Sequence, residues 1–208
     1  THDGILYLSM EYAEGQSLRA FLRKHRIERR LIDVRLTVTF LRQILAALEF
    51  AHRTVIHRDI KPENVMILSG ERLKVLDFGL AKAAHEEFLK EHPESLDSPK
   101  RVVGTLAYAA PEQRMKQPVD LRADIYAVGL LMHELFTLRT PMDEPVTVPG
   151  VRNDVSPSLL AVLAKSLAES KEQRWQSAGE FRGALEKAFE DSYRKPVEHI
   201  YVANRAEP

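Results

Sequence analysis

Cysteine is absent from the 208-residue chain. That excludes disulfides, thiolate zinc sites and a cysteine nucleophile, and it is compatible with a reducing compartment without requiring one. No charge dominates either: Lys and Arg number 30, Asp and Glu 30. A nucleic-acid binder ordinarily carries a basic surplus, so no nucleic-acid partner is expected. No run of eighteen apolar residues occurs, so no membrane span, and no membrane contact from this segment, is expected. No signal peptide is visible, and the chain opens on Thr1 rather than Met, as a piece of a longer protein would. Internal repeats and low-complexity tracts are also missing. What is present is an ordinary globular balance, 44% hydrophobic and 29% charged, long enough for one domain with a real core.

Local patterns predict a mainly helical body with a few short strands on one surface. Residues 5–13 read as a strand leaving through a Glu14-Gly15 turn, followed by a helix around Ser17–His25. From Asp33, a good N-cap, to about Arg53 the apolar residues Leu41, Ile44, Leu45, Leu48 and Ala51 repeat at helical spacing. Three β-rich runs follow, Val55-Ile56, Val65–Leu68 and Leu73–Leu76, the last two joined by a hairpin turn at Ser69-Gly70-Glu71. Residues 77–112 lack sustained periodicity and read as a long polar loop, a kind that in compact domains is functional or disordered. Asp124–Leu138 is apolar on nearly every face, which predicts a helix buried all round. Ser156-Pro157 opens another helix, and Ser177-Ala178-Gly179-Glu180 is a capping box for the last.

The informative residues sit on the short strands. His57-Arg58-Asp59-Ile60-Lys61-Pro62-Glu63-Asn64 lies between the first two, Asp77-Phe78-Gly79 follows the third, and Tyr108-Ala109-Ala110-Pro111-Glu112 closes the long loop. Each tripeptide alone is weak, and Asp59 or Asp77 alone reads first as a turn residue capping a hairpin. In this order and spacing the set resembles the protein kinase family over almost the whole chain. The resemblance implies an α+β, kinase-like fold: a C-terminal lobe over residues 1–195, with a hinge at 1–15, a catalytic loop at 57–64, an activation segment at 77–112, and a tail at 196–208. It implies ATP-dependent phosphoryl transfer to serine or threonine hydroxyls of protein substrates in signal transduction.

Phosphoryl transfer needs positioning and charge neutralisation more than covalent chemistry. By resemblance, Asp59 accepts or orients the proton of the substrate hydroxyl and Lys61 contacts the transferring phosphate. Asn64 and Asp77 would hold Mg2+, or Mn2+, as hard oxygen donors. Thr105, three residues before Tyr108, would hydrogen-bond toward Asp59 and Lys61 and shape the acceptor site. The backbone of Glu11 and Ala13, in Met10-Glu11-Tyr12-Ala13, would meet adenine, with Met66 under the base; plain core packing is an equal reading for Met10 and Met66. His57 and Phe78 would pack internally. His52 reads as helix surface or core, His85 and His92 as solvated. Glu112 would pair with Arg174. Asp124 would accept backbone N–H groups of the catalytic loop, or serve as a simple N-cap. Lys61 two places after Asp59, together with Gly104-Thr105, resembles the serine/threonine class. The runs Gly104 to Gln113 and Gln173 to Ala178 resemble bacterial members. Arg58 before Asp59 resembles kinases switched by loop phosphorylation. Ser95 and Ser98 are the only hydroxyl side chains between Gly79 and Gly104; Ser98 is the favoured acceptor, though the acidic surroundings of both would oppose added charge.

Two departures from the family stand out. No Gly-rich phosphate loop, strand lysine or pairing helix glutamate is present, so the N-terminal lobe is expected to be absent and to be a required partner. Pro141, Pro145 and Pro149 interrupt Arg139–Val155, where family members carry a docking helix. Residues 1–208 alone are therefore expected to be inactive. A pseudokinase or scaffold is the alternative. A cytoplasmic location is expected, as such or as the cytoplasmic part of a longer, membrane-anchored protein.

Overall fold

The computed structural model describes residues 11–78, 107–143 and 147–193. A small sheet comes first. Strand β1 (Gln16–Ser17) pairs antiparallel with β2 (Val65–Ile67), and β2 pairs antiparallel with β3 (Leu73–Val75), in the order β1-β2-β3. The register sets Ser17 opposite Met66, and Met66 opposite Lys74. Gly15 explains the tight entry into β1: a Cβ there would lie 2.1 Å from the Ile67 carbonyl oxygen. Of the strand expected over residues 5–13, positions 11–13 are not extended into a ladder, and 5–10 lie outside the described residues. The turn between β2 and β3 is a single 3-10 turn in which Gly70 and Glu71 both take positive φ, 68° and 58°.

The predicted strand at Val55-Ile56 does not form. After helix α2 (Val34–Ala51) the chain keeps turning, and the Thr54 and Val55 amides both donate to the Ala51 carbonyl, at 2.9 and 2.8 Å. Two β-branched or apolar residues with no adjacent strand to pair with cannot hold a sheet on propensity alone. Helix α1 (Leu18–Glu28) runs three residues beyond its expected end, capped by Ser17 Oγ on the Ala20 amide. Asp33 caps α2 as expected, accepting from the Arg35 and Leu36 amides.

The body is helical. After α3 (Pro111–Arg114), a single turn at the end of the expected loop, come α4 (Arg122–Thr137), α5 (Val148–Val151), α6 (Pro157–Ser166) and α7 (Ala178–Tyr193). α2 packs on α4 and α7, and α6 packs on the same two. Helix α4 is enclosed: Ile125, Val128, Leu131, Met132, Leu135 and Phe136 are all fully buried on several sides of it. It crosses α6 closely, since a Cβ on Gly129 would sit 2.4 Å from Ser166 Oγ. α6 and α7 open as the sequence predicts. Ser156 Oγ accepts the Leu159 amide and Ser177 Oγ the Glu180 amide, while the Glu180 carboxylate reaches back one residue further than a capping box requires, to the Gln176 amide. Between α4 and α6 the only helix among the described residues is the one-turn α5. Pro149 is compatible with it because its missing N–H falls in the first turn.

Candidate active site

The catalytic-loop residues converge through short-range bonds. Lys61 Nζ lies 2.7 Å from Asp59 Oδ2. Asn64 Nδ2 donates to the Asp59 carbonyl at 2.8 Å and to its carboxylate at 3.1 Å. With its nitrogen committed to Asp59, the amide keeps its oxygen, a hard donor, for another ligand. The Leu76 amide donates to the Asn64 carbonyl at 2.8 Å, which continues the β2-β3 pairing by one residue and puts Asp77 one residue beyond it. Asp77 is exposed and has φ 59°, a region costly for a residue with a Cβ. A carboxylate and an amide oxygen are the kinds of hard donor that Mg2+ uses together with nucleotide phosphates.

His57 and Asp124 set the backbone of this loop. His57 is fully buried. Its Nε2 lies 2.8 Å from the Leu76 carbonyl, and its Nδ1 accepts from the Asp59 amide at 3.3 Å, so the partners assign the Nε2–H tautomer. Phe78 stacks against it at a tilt, ring centroids 4.9 Å apart. Both therefore pack internally, as expected. Asp124 accepts from the His57 amide at 2.8 Å and the Arg58 amide at 2.7 Å. It is not the N-cap of α4, because that helix starts two residues earlier and the Arg122 amide is held by Asp120 instead. His52, at the end of α2, places Nε2 2.9 Å from the same Asp124 carboxylate, a role its position in the sequence did not disclose.

Arg58 itself has φ 64° and an exposed side chain. Its amide is tied to Asp124 and its carbonyl accepts from Gln113 Nε2 at 3.0 Å, so the strained backbone is fixed from both ends. Its guanidinium has no carboxylate partner among the described residues. Ser95, Ser98, Thr105 and Gly79 lie outside the described residues.

Glu11, Ala13 and Met66, the residues expected at the adenine, are all among the described residues. Val65 points into the core, so the pleat turns Met66 to the other side of the sheet. Lys74, its cross-strand partner, shares that side and reaches Glu11 Oε2 at 2.5 Å. Through Lys74, Glu11 comes to the side of the sheet that carries Met66. The pairing also draws the Glu11 carboxyl below its ordinary range.

Two further clusters flank the loop. Arg174, 1% exposed, makes a two-pronged pair with Glu112 at 2.8 and 2.9 Å and also donates to the carbonyls of Ala168, Glu169 and Arg122. Burial alone would raise the Glu112 pKa, but these guanidinium bonds outweigh it and hold the carboxyl low. The second cluster was not anticipated. Arg19 of α1 donates to Glu134 at 2.6 Å, to the Tyr108 hydroxyl at 2.8 Å and to Glu63 at 2.8 Å, and Tyr108 also bonds Glu134. Burial pushes the Tyr108 phenol and the Glu134 carboxyl upward, the latter despite Arg19. A polar cluster spread over 115 positions leaves no local signal; only the buried charge inside an apolar helix, Glu134, pointed to it.

A family profile described as the protein kinase domain matches residues 1–191. The chain belongs to the protein kinase family. Bacterial serine/threonine kinases are among its curated relatives. It is 36% identical over 197 residues to a probable serine/threonine-protein kinase, SCO3848, of Streptomyces coelicolor, covering 88% of this chain and 28% of that protein. It is 35% identical over 199 residues to the serine/threonine-protein kinase PknB of Mycolicibacterium smegmatis, covering 88% and 30%. The chain thus spans under a third of these relatives' length. Among solved structures, the Mycobacterium tuberculosis PknI kinase domain matches with a TM-score of 0.66 and 28% identity, over 86% of this chain and 64% of that one. The protein kinase fold, with bacterial Hanks-type serine/threonine kinases as its relatives, is therefore the frame for the site. The match from residue 1 onward and the three-stranded sheet do not support describing the chain simply as lacking a lobe.

Proposed function

We propose that this chain carries the acceptor side of a serine/threonine protein kinase, transferring the terminal phosphoryl group of ATP to a substrate hydroxyl. The observation that carries this is the Asp59–Lys61–Asn64 cluster, with Asp77 one residue beyond the Leu76–Asn64 bond. Asp59 takes or orients the hydroxyl proton. Lys61, 2.7 Å from Asp59, places a positive charge where the phosphoryl oxygens pass and lowers the cost of bringing them near a carboxylate. Asn64 and Asp77 would hold the Mg2+ (or Mn2+) that accompanies ATP and neutralises phosphate charge. Glu11, Ala13 and Met66 would border the adenine.

The residues that clamp phosphates from the other side belong to a Gly-rich loop, and no two glycines of this sequence stand in that spacing. The proposal therefore includes a nucleotide-clamping lobe as partner, without which residues 1–208 transfer negligibly. Thr105 shaping the acceptor site, and a phosphate on Ser95 or Ser98 held by Arg58, extend the same reading. A cytoplasmic site of action is part of it. Full-length protein incubated with labelled ATP, Mg2+ and a generic acceptor protein tests it. Label on serine or threonine is expected; label lost with Asp77→Asn only at low Mg2+ supports the metal assignment. No label under any condition favours a scaffold.

A further inference from the structure

Helix α1 concentrates positive charge in a chain whose charges balance as a whole. From Leu18 to Arg30 it and its exit carry Arg19, Arg23, Lys24, Arg26, Arg29 and Arg30 against one carboxylate, Glu28. These cations differ in what they meet. Arg19 turns inward onto Glu63, Glu134 and Tyr108, and Arg26 pairs with Asp143 at 3.0 Å. Arg23, Lys24, Arg29 and Arg30 are exposed and have no carboxylate partner among the described residues.

Helical spacing puts Ala20, Arg23, Lys24 and Ile27 on one face. Ile27 is 72% exposed there. Together with Ser17, Arg19 and the exposed Glu28, the one carboxylate among them, they line a shallow groove of about 430 Å³. Its inner end is Arg19, whose guanidinium is bonded to Glu63, two residues past Lys61. Arg23 lies one helical turn, ~6 Å, farther out. An extended peptide covers that in about two residues. The groove thus opens beside the loop that carries Asp59, with Glu63 bonded to Arg19 and Lys61 bonded to Asp59.

The sign of the surface follows from Arg19. Glu63, in the 57–64 loop, and the buried Glu134 are both bonded to Arg19, so neither stands without a cation. A substrate cation approaching here meets no free carboxylate pair. A substrate carboxylate meets Arg23 and Lys24, with Ile27 offering apolar contact. We propose that the exposed face of α1 is a specificity site that takes an acidic stretch of the protein substrate, Arg23 and Lys24 pairing with its carboxylates and Ile27 covering an apolar side chain. This rests on the kinase reading above.

The test compares acceptor peptides with glutamates flanking the serine against the same peptides with glutamines, using full-length protein. The wild type should prefer the glutamate peptide, and Arg23→Glu with Lys24→Glu should cut that preference about tenfold, the size of two exposed charge pairs. The loss should fall in KM rather than kcat, and Arg23→Lys should restore the preference. Anisotropy of the labelled glutamate peptide on an Asp59→Asn variant, at low and high salt, reads binding without transfer and should weaken with salt. Peptides phosphorylated without regard to charge would overturn the proposal and leave the kinase reading intact. Acidic peptide bound through Arg23 and Lys24 with no transfer by the wild type would uphold the site and count against the kinase reading. Binding to phosphatidylserine-containing vesicles, lost on charge reversal, with no peptide preference, would assign the face to a membrane and overturn it.

Discussion

Asp124 and Glu112 are both buried carboxylates, 1% and 4% exposed, yet they are spent differently. Asp124 accepts from two backbone amides of the catalytic loop and bonds His52. Glu112 faces a single guanidinium that is itself bonded to three carbonyls. The first arrangement fixes the φ of Arg58 and hence the aim of Asp59; the second joins the end of the activation segment to the loop before α7. One positions chemistry and the other holds the fold. Substitutions at the two should separate activity from stability.

The largest stability loss is expected at Arg174. Arg174→Ala leaves Glu112 buried and unpaired along with three carbonyls, a change of about 3–5 kcal/mol for a broken buried pair, read as a shift in denaturant midpoint. Asp124→Asn keeps one acceptor oxygen and should cost less, about 1–3 kcal/mol for an amide left unsatisfied. Its effect on transfer should be the greater one, a fall of at least about tenfold, because an oxyanion-scale displacement of Asp59 is felt directly in the rate. If Asp124→Asn lost stability like Arg174→Ala but kept its rate, the contrast between the two carboxylates would be wrong.

Acid should sharpen the contrast from the Glu112 side. Its folded pKa is held below the ordinary 4.5 by Arg174. A carboxyl depressed in the folded state contributes stability that is fully present above 4.5 and is lost as pH falls from there toward the folded value. Melting temperature should therefore decline below about pH 4.5, with a shallower slope in Glu112→Gln. Glu134 opposes this: burial raises its pKa, so the folded state holds that proton more tightly and gains relative stability on acidification. The smallest effect is expected at the surface pair Arg42–Glu186, 2.8 Å apart but exposed. Arg42→Ala should change stability by less than about 1 kcal/mol.

Much of this was legible in the sequence because it is local. Asp33, Ser156 and Ser177 cap the helices they precede, and the all-round apolar run of α4 announces an enclosed helix. The clustering of Asp59, Lys61 and Asn64 was legible because they lie within one short loop. What escaped was long-range. His52 and Asp124 are 72 positions apart, and Arg19 and Glu134 are 115 apart; no periodicity links such pairs. Val55-Ile56 was misread for the complementary reason. β-branched character is local, but a strand exists only if another lies beside it, and here the turn leaving α2 takes the backbone bonds first. Pro149 shows that a proline's meaning depends on position: in a first turn it starts α5 instead of preventing it.

The central claim is that Asp59, held by Lys61 and Asn64 and aimed through Asp124, handles the acceptor proton. The most direct measurement is single-turnover phosphoryl transfer by full-length Asp59→Asn under saturating ATP and Mg2+, with nucleotide affinity and melting temperature recorded on the same sample. The account predicts transfer reduced by about 10²-fold or more, the scale of a lost general base, with nucleotide affinity and melting temperature near those of the wild type. Transfer within a few-fold of wild type, from a folded and nucleotide-bound protein, would contradict it.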